Sequence, residues 1–413
     1  MNRKEKTIVI LLASLNFTHI LDFMIMMPLG NYLLLKPFQF SLLVASYSVS
    51  AFVSGLVIAM FIDRFDRKRS LLLAYAGFVA GTIACGFAGS YGLLLTARIV
   101  AGLFGGIIGA QVLAIVADMF AYERRGQAMG AVMGGFAAAS ILGVPLSLYL
   151  TNLFKKDWHV PFLLIGSLGV VLIPLIIRII PSMTAHIKPH LRKPAPYKAL
   201  EIVVKEPSQR TALIFSCLLM MGHFLIIPFI NPYLEFNKGF SKDQTPMIYL
   251  VGGMASLLAA VYLGKAADKR GKLAVFSLSV FLSLFMVLII TRMPNVAFAV
   301  VLGFFALWFM MATGRIVTAQ AMISEVVKPE QRGSFMSING SVQQLGSGLA
   351  ALVAGIIVHT EKKSGRIVNY EWVGYLSILV LLASLLYGRM IFRRIDSSDN
   401  LPVAADPELA KER

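Results

Sequence analysis

Twelve times along this chain a run of about 20 mostly apolar residues recurs, long enough as a helix to cross about 30 Å of hydrocarbon. The runs fall at 7–34, 41–62, 70–90, 93–118, 127–152, 160–180, 209–235, 244–267, 272–292, 295–326, 332–359 and 370–393. In lipid, every backbone N–H and C=O must be satisfied internally, so such runs fold as transmembrane helices. Of the 413 residues 57% are hydrophobic and only 14% charged, too apolar a balance for a water-soluble core of this length. The expected fold class is an all-α membrane protein with 12 transmembrane helices.

A formal net charge of +17 would point to nucleic acid in a soluble protein, so the placement of the charges decides. With the N-terminus in the cytoplasm, most of the 38 Lys and Arg fall in cytoplasmic segments and few in outer loops. That asymmetry sets both termini in the cytoplasm and argues against a nucleic-acid partner. Two basic residues, Arg98 and Arg315, fall inside spans. Cys85 and Cys217 sit in apolar runs, where a free thiol behaves as a small hydrophobe, and no disulfide is expected. No pair among the six histidines has a metal-ligand spacing, so no metal is expected. The first span follows the basic start MNRKEK but is too long, and lacks a small-residue cleavage site, to be a removable leader; it reads as an uncleaved anchor. A GxxxxGK[ST] phosphate loop is missing, so ATP is not the expected fuel. No nucleophile and base stand out, so an enzyme is not expected.

Residues 181–208 carry five prolines and a basic surplus and read as a cytoplasmic linker. It separates an N-terminal six-helix bundle (1–180) from a C-terminal one (209–393), with a disordered tail at 394–413. Within the linker, YKALEIVVK (197–205) puts Leu200, Val203 and Val204 near one face with Lys198 and Lys205 away from it. That pattern fits an interfacial helix or a plain irregular connection.

The two halves repeat one another. AMFIDRFDRKR (59–69) ends the second span in a charged hairpin, and GKAADKRGK (264–272) ends the eighth in the same way, with Asp268 where the first copy has Asp63. Asp118 corresponds to Glu325, ERRG (123–126) to EQRG (330–333), and MMPLGN (26–31) to IIPFIN (226–231). With RIVAG (98–102) in the fourth span and GVP (143–145) in the fifth, the chain resembles the major facilitator superfamily, and within it the bacterial twelve-helix drug and metabolite proton antiporters. The resemblance implies two pseudo-symmetric six-helix bundles around a central cavity, working by alternating access. Two departures stand out: Ala59 and Asp66 replace the family's glycines in the first hairpin, and the fifth span lacks the glycine pair that usually follows the proline.

Charges buried in the spans are the candidate functional residues, because each is costly in lipid without a partner or a cavity. Asp22 lies about 22 Å into the first span, at 1.5 Å per residue. A desolvated carboxylate beside a cation has the tuning a proton carrier needs. The resemblance implies that Arg98 faces the first span and joins in proton coupling, which makes Asp22 its natural partner; the alternative is an arginine reaching for the outer headgroups. His19, three residues before Asp22, shares its face and is either a proton relay or a neutral hydrogen-bonding group. Arg315, with no basic counterpart in the first half, is either a substrate ligand or half of an internal pair. Asn31, Asn231, His223, Gln111 and Gln320 are candidate cavity-lining groups. Gly143 and Pro145 mark a bend in the fifth span. Glycine pairs such as Gly102 with Gly106 and Gly130 with Gly134 read as packing surfaces.

At the hairpins, Asp63 is placed to cap or pair at the start of the third span, while Arg67 and Asp118 form a candidate latch that the family uses to hold one access state. Asp268, Lys272 and Glu325 are its counterparts in the second half. The functional expectation is proton-coupled efflux of a small organic solute across a bacterial inner membrane by a monomer, with protons as coupling ion and no other cofactor. Alternatives are uptake or uniport of a small anionic or zwitterionic metabolite, transport of amphiphiles, and a transport-dead sensor or assembly protein.

Overall fold

The computed structural model describes residues 3–61, 65–120, 122–154, 157–184, 198–327, 332–361 and 364–398. It contains sixteen α-helices among these residues. Those of the first half are α1 (Arg3–Ile25), α2 (Gly30–Leu33), α3 (Pro37–Phe61), α4 (Arg67–Gly86), α5 (Tyr91–Met119), α6 (Tyr122–Ala138), α7 (Val144–Leu153) and α8 (Val160–Ile179). After α9 (Lys198–Lys205) follow α10 (Pro207–Phe224), α11 (Ile227–Lys238), α12 (Thr245–Arg270), α13 (Lys272–Thr291), α14 (Phe298–Glu325), α15 (Arg332–Ile357) and α16 (Tyr370–Ser398). Twelve spans are long and apolar enough to cross a membrane.

Two spans are not the continuous helices the sequence predicts. The first breaks after Ile25 and the seventh after Phe224, at equivalent places in the repeat. Pro28 and Pro228 are the cause: each lacks an N–H, and its ring would strike the carbonyl four residues earlier. The fifth span also departs from a simple helix, because Ala139–Gly143 form a π-helical segment between α6 and α7, ending two residues before Pro145. A two-residue antiparallel pair, His359–Thr360 with Ile367–Val368, joins α15 to α16, an element that no span pattern predicts. The final helix runs through Asp396 to Ser398, past the point where a disordered tail is expected to begin. In the linker the helical alternative holds: α9 buries Val203 and packs on α10 and α15.

The halves meet along two seams. One runs the length of α3 against α15, where a Cβ on Gly55 would strike Ser341, one on Gly348 would touch Ser48, and one on Gly355 would strike Ser41. The other is the crossing of α12 over the π segment, with Gly253 against Ser140 and Ile141. Gly102 and Gly106 let α5 approach α3 so closely that a Cβ on either would collide with backbone, the first with the Tyr47 carbonyl and the second with that of Ala51. Gly130 and Gly134 are exposed and meet nothing within 4 Å, so that pair is not a packing surface here.

Asp63 lies outside the described residues. The cap at the start of α4 belongs to Asp66, whose Oδ1 accepts from Lys68 N at 3.0 Å. The same carboxylate accepts from Met183 N at 2.9 Å and from Ser182 Oγ at 2.7 Å, pinning the first hairpin to the chain beyond α8.

Candidate functional site

Asp22 and Arg98 have no exposed surface, and Arg98 NH1 reaches Asp22 Oδ2 at 2.8 Å and the Asp22 carbonyl at 3.3 Å. The pair is assembled from four helices. Asp22 comes from α1, Arg98 from α5, and Thr82 of α4 donates to Asp22 Oδ1 at 3.1 Å. From α3, Tyr47 lays its ring 4.3 Å from the guanidinium carbon, a cation–π contact in a site shielded from water. Arg98 is therefore not reaching for headgroups. Its Nε and NH2 find no partner among the described residues. A buried pair of this kind resists separation, because parting the charges leaves each one desolvated and alone. Adding a proton to the carboxylate removes that restraint.

His19 lies one turn along α1 on the same side. Its ring packs edge-on to Phe78 and tilted against Tyr47, and neither ring nitrogen has a hydrogen-bond partner among the described residues.

Between the halves lies a small apolar cavity of about 60 Å³. Phe23, Met24 and Met27 supply its wall from the first span, and Phe136 its wall from α6. His223, Phe224, Tyr249, Phe305, Trp308 and Phe309 contribute most of the opposite wall. Phe23 joins the two sites: it follows Asp22 in sequence, its ring is 5.6 Å from Tyr47, and on the other side it meets Phe224 at 5.7 Å. A change at the ion pair therefore has a direct packing route to the cavity.

Of the other candidates, Asn231 donates to the hydroxyl of the cavity residue Tyr249 at 2.8 Å. Arg315 bonds His223 from just behind the wall. Gln111 and Gln320 do not line the cavity: Gln111 is fully buried and Gln320 accepts from Gln343 at 3.3 Å. Asn31 is elsewhere too, at the end of the molecule away from the termini. There its Nδ2 donates to Glu235 at 2.5 Å, and Lys242 donates to the Asn31 carbonyl at 3.0 Å and faces Glu235 at 3.7 Å. Beside them Tyr32 donates to Asn152 at 2.7 Å, and Asn152 donates to Asp243 at 2.9 Å. These contacts clamp the two halves together over the cavity.

At the opposite end Arg67 Nε meets Asp118 at 2.9 Å, and Lys272 pairs with Glu325, one pair in each half. Asp268 is exposed and forms no ion pair among the described residues. Gly143 sits where α1 approaches the fifth span, since a Cβ there would press on Leu21, and Pro145 follows the π segment.

Sequence reasoning missed Thr82, Tyr47 and Trp308, because a hydroxyl or ring within an apolar run carries no sign of the neighbour it will meet. It also missed Glu235 and Lys242, whose charges at a span end were a visible signal.

A dozen spanning helices thus enclose a buried ion pair and a cavity set between two halves. The Major Facilitator Superfamily profile matches residues 7–315 and 212–410, and the chain belongs to that superfamily. It is 24% identical over 362 residues to an uncharacterized MFS-type transporter, YceJ, of Bacillus subtilis (strain 168), covering 86% of this chain and 89% of that one. It is 22% identical to a probable sugar efflux transporter of Helicobacter pylori (strain G27), over 77% of this chain and 78% of the relative. Among solved structures, a bacterial homolog of the human lysosomal transporter Spinster, inward-facing and occupied, superposes with a TM-score of 0.76 at 13% identity, over 98% of this chain and 100% of that one. The nucleoside transporter NupG, solved in a mutant form, gives 0.73 at 12% identity, over 94% and 100%.

Proposed function

We propose that this transporter exports a small organic solute across the cytoplasmic membrane in exchange for protons, with Asp22 as the proton-binding group and both termini in the cytoplasm. The observation that carries the reading is the Asp22 cage: a carboxylate closed off from water, held by Arg98 and Thr82, and coupled through Phe23 to the cavity wall. Protonation cancels the Asp22 charge and frees Arg98 from its tightest contact, so the ring of Phe23 and the helix that carries it gain freedom to move. The distal clamp, at what is then the outer face, and the pairs Arg67–Asp118 and Lys272–Glu325 bias which end is open. The relative named for sugar efflux supports the export direction. The lining, rich in Phe, Met and Ile with few polar groups, favours a solute with an apolar body over a sugar, which would need many hydrogen bonds.

The test is flux in proteoliposomes with an imposed pH gradient, screened over sugars and over cationic and anionic drugs. Asp22→Asn should lose concentrative flux yet keep counterflow of the same solute at equal pH. Undiminished concentrative flux in that variant would remove Asp22 from the coupling mechanism.

A further inference from the structure

Two arginines are completely buried within the spans, and they are served very differently. Arg98 has Asp22. Arg315, 0% exposed, makes one side-chain hydrogen bond, from NH2 to His223 Nδ1 at 2.7 Å, and its Nε and NH1 have no partner among the described residues. No carboxylate pairs with it there.

The chemistry around Arg315 is one-sided. A guanidinium can only donate, so His223 Nδ1 must accept, and a neutral ring then carries its proton on Nε2. Trp308, seven residues before Arg315 and so two turns away on the same face of α14, stacks on His223 with ring centroids 5.1 Å apart. It is 1% exposed, and its indole N–H also lacks an acceptor among the described residues. The Arg315 guanidinium, just behind the wall, and the Trp308 indole, within it, are thus donors without acceptors beside a cavity lined mostly by Phe, Met and Ile. A buried cation without a counter-charge is costly, and a ligand that brings the anion relieves that cost where a neutral ligand does not.

We propose that the cavity selects organic anions, specifically carboxylates on an aromatic or branched apolar body, with Arg315 as the countercharge. The body occupies the Phe-lined space, which at about 60 Å³ in this closed arrangement widens to admit it. The carboxylate reaches the guanidinium by displacing the His223 ring, exchanging one Arg–His hydrogen bond for a two-pronged charge-assisted pair. This assignment rests on the cavity being the solute path but does not depend on proton coupling.

The experiment is equilibrium binding by the full chain in detergent at constant pH. The protein has three tryptophans, so Trp158→Phe with Trp372→Phe leaves Trp308 as the sole indole reporter. The probes are 3-phenylpropionate, its neutral amide 3-phenylpropionamide, and sodium chloride. Saturable quenching with at least tenfold tighter binding of the carboxylate than of the amide is expected. Arg315→Gln should bring that ratio to about one, Arg315→Lys should retain part of it, and His223→Ala should tighten the carboxylate alone by removing the group it displaces. Equal affinities in the parent protein, no saturable quenching by either phenyl probe, or a ratio that survives Arg315→Gln would overturn the assignment. So would chloride reproducing the carboxylate's full response, which would make the site one for a simple ion. Should Arg315→Gln not fold, the His223→Ala result decides, and unchanged carboxylate affinity there refutes the proposal. Proton-driven flux in Asp22→Asn would overturn the coupling reading while leaving the acid-to-amide ratio untouched, so the two failures are separable.

Discussion

Glu235→Gln should open the end of the molecule away from the termini. Glu235 accepts from Asn31 across the seam between halves and faces Lys242 at 3.7 Å, with Glu235 and Lys242 side chains 18% and 20% exposed. A charge-assisted hydrogen bond contributes about 1.5–3 kcal/mol and a neutral one about 1, so the amide loses about 1 kcal/mol in its bond to Asn31. The ion pair with Lys242 joins two residues of the same half, so its loss weighs on both arrangements alike. About 1 kcal/mol therefore favours the separated arrangement, a shift of about fivefold in the ratio of closed to open. A state populated at about 1% would rise to about 5%, a measurable minor population. Spin labels at Phe154 and Met247, both exposed, at the distal end and on opposite sides of the α7–α12 contact, report the separation. After replacement of Cys85 and Cys217, pulsed electron paramagnetic resonance should show a longer-distance population growing in Glu235→Gln. An unchanged distance distribution in a monodisperse variant would refute the clamp.

Two further outcomes are expected. Gly106→Val should cost most of the folded yield on size-exclusion chromatography, because the added atoms collide with α3 backbone at Ala51, whereas Gly109→Ala, which meets nothing, should leave the yield intact or raise it. Burial works against ionisation of Asp66, but the Met183 N–H, the Ser182 hydroxyl, the Lys68 N–H and the Arg69 charge together hold its carboxyl below the usual range. Because the folded value is depressed, its contribution to stability is present above the unfolded value near pH 4 and is lost as pH falls through the lower folded value. Asp66→Ala should therefore lower thermal stability by about 1 kcal/mol at pH 7, the worth of a helix cap, and the difference from the parent should shrink in acid.

Much of the site was legible in the sequence because lipid makes buried charge expensive. Asp22 and Arg98 were visible as charges inside apolar runs, and RIVAG, through the resemblance, gave the reason to pair them. Arg315 was visible for the same reason, but its partner was not: His223 is distant in sequence and no pattern of spacing links the two. Asn31 shows the limit from the other side. An amide near the end of the first span reads as a cavity-lining group, and only the approach of Glu235 from the other half places it in a clamp instead. Asp66 stood out as a departure from glycine; Lys68 N makes it a cap, and residues 182 and 183 make it a tether.

The sequence by itself determined the number of spans, their approximate limits, the duplication and the few charges carried within them. Hydrocarbon imposes those features locally, since each segment must satisfy its own backbone and bear the cost of every polar side chain it carries. Tertiary structure alone decided where the helices break and which side chains face each other. It placed Thr82 on Asp22, Tyr47 over Arg98, and His223 between Arg315 and the cavity, and it tied Asn31 to Glu235. Those pairings depend on which helices lie side by side and at what rotation, and both are set by close packing across the seams between helices remote in sequence.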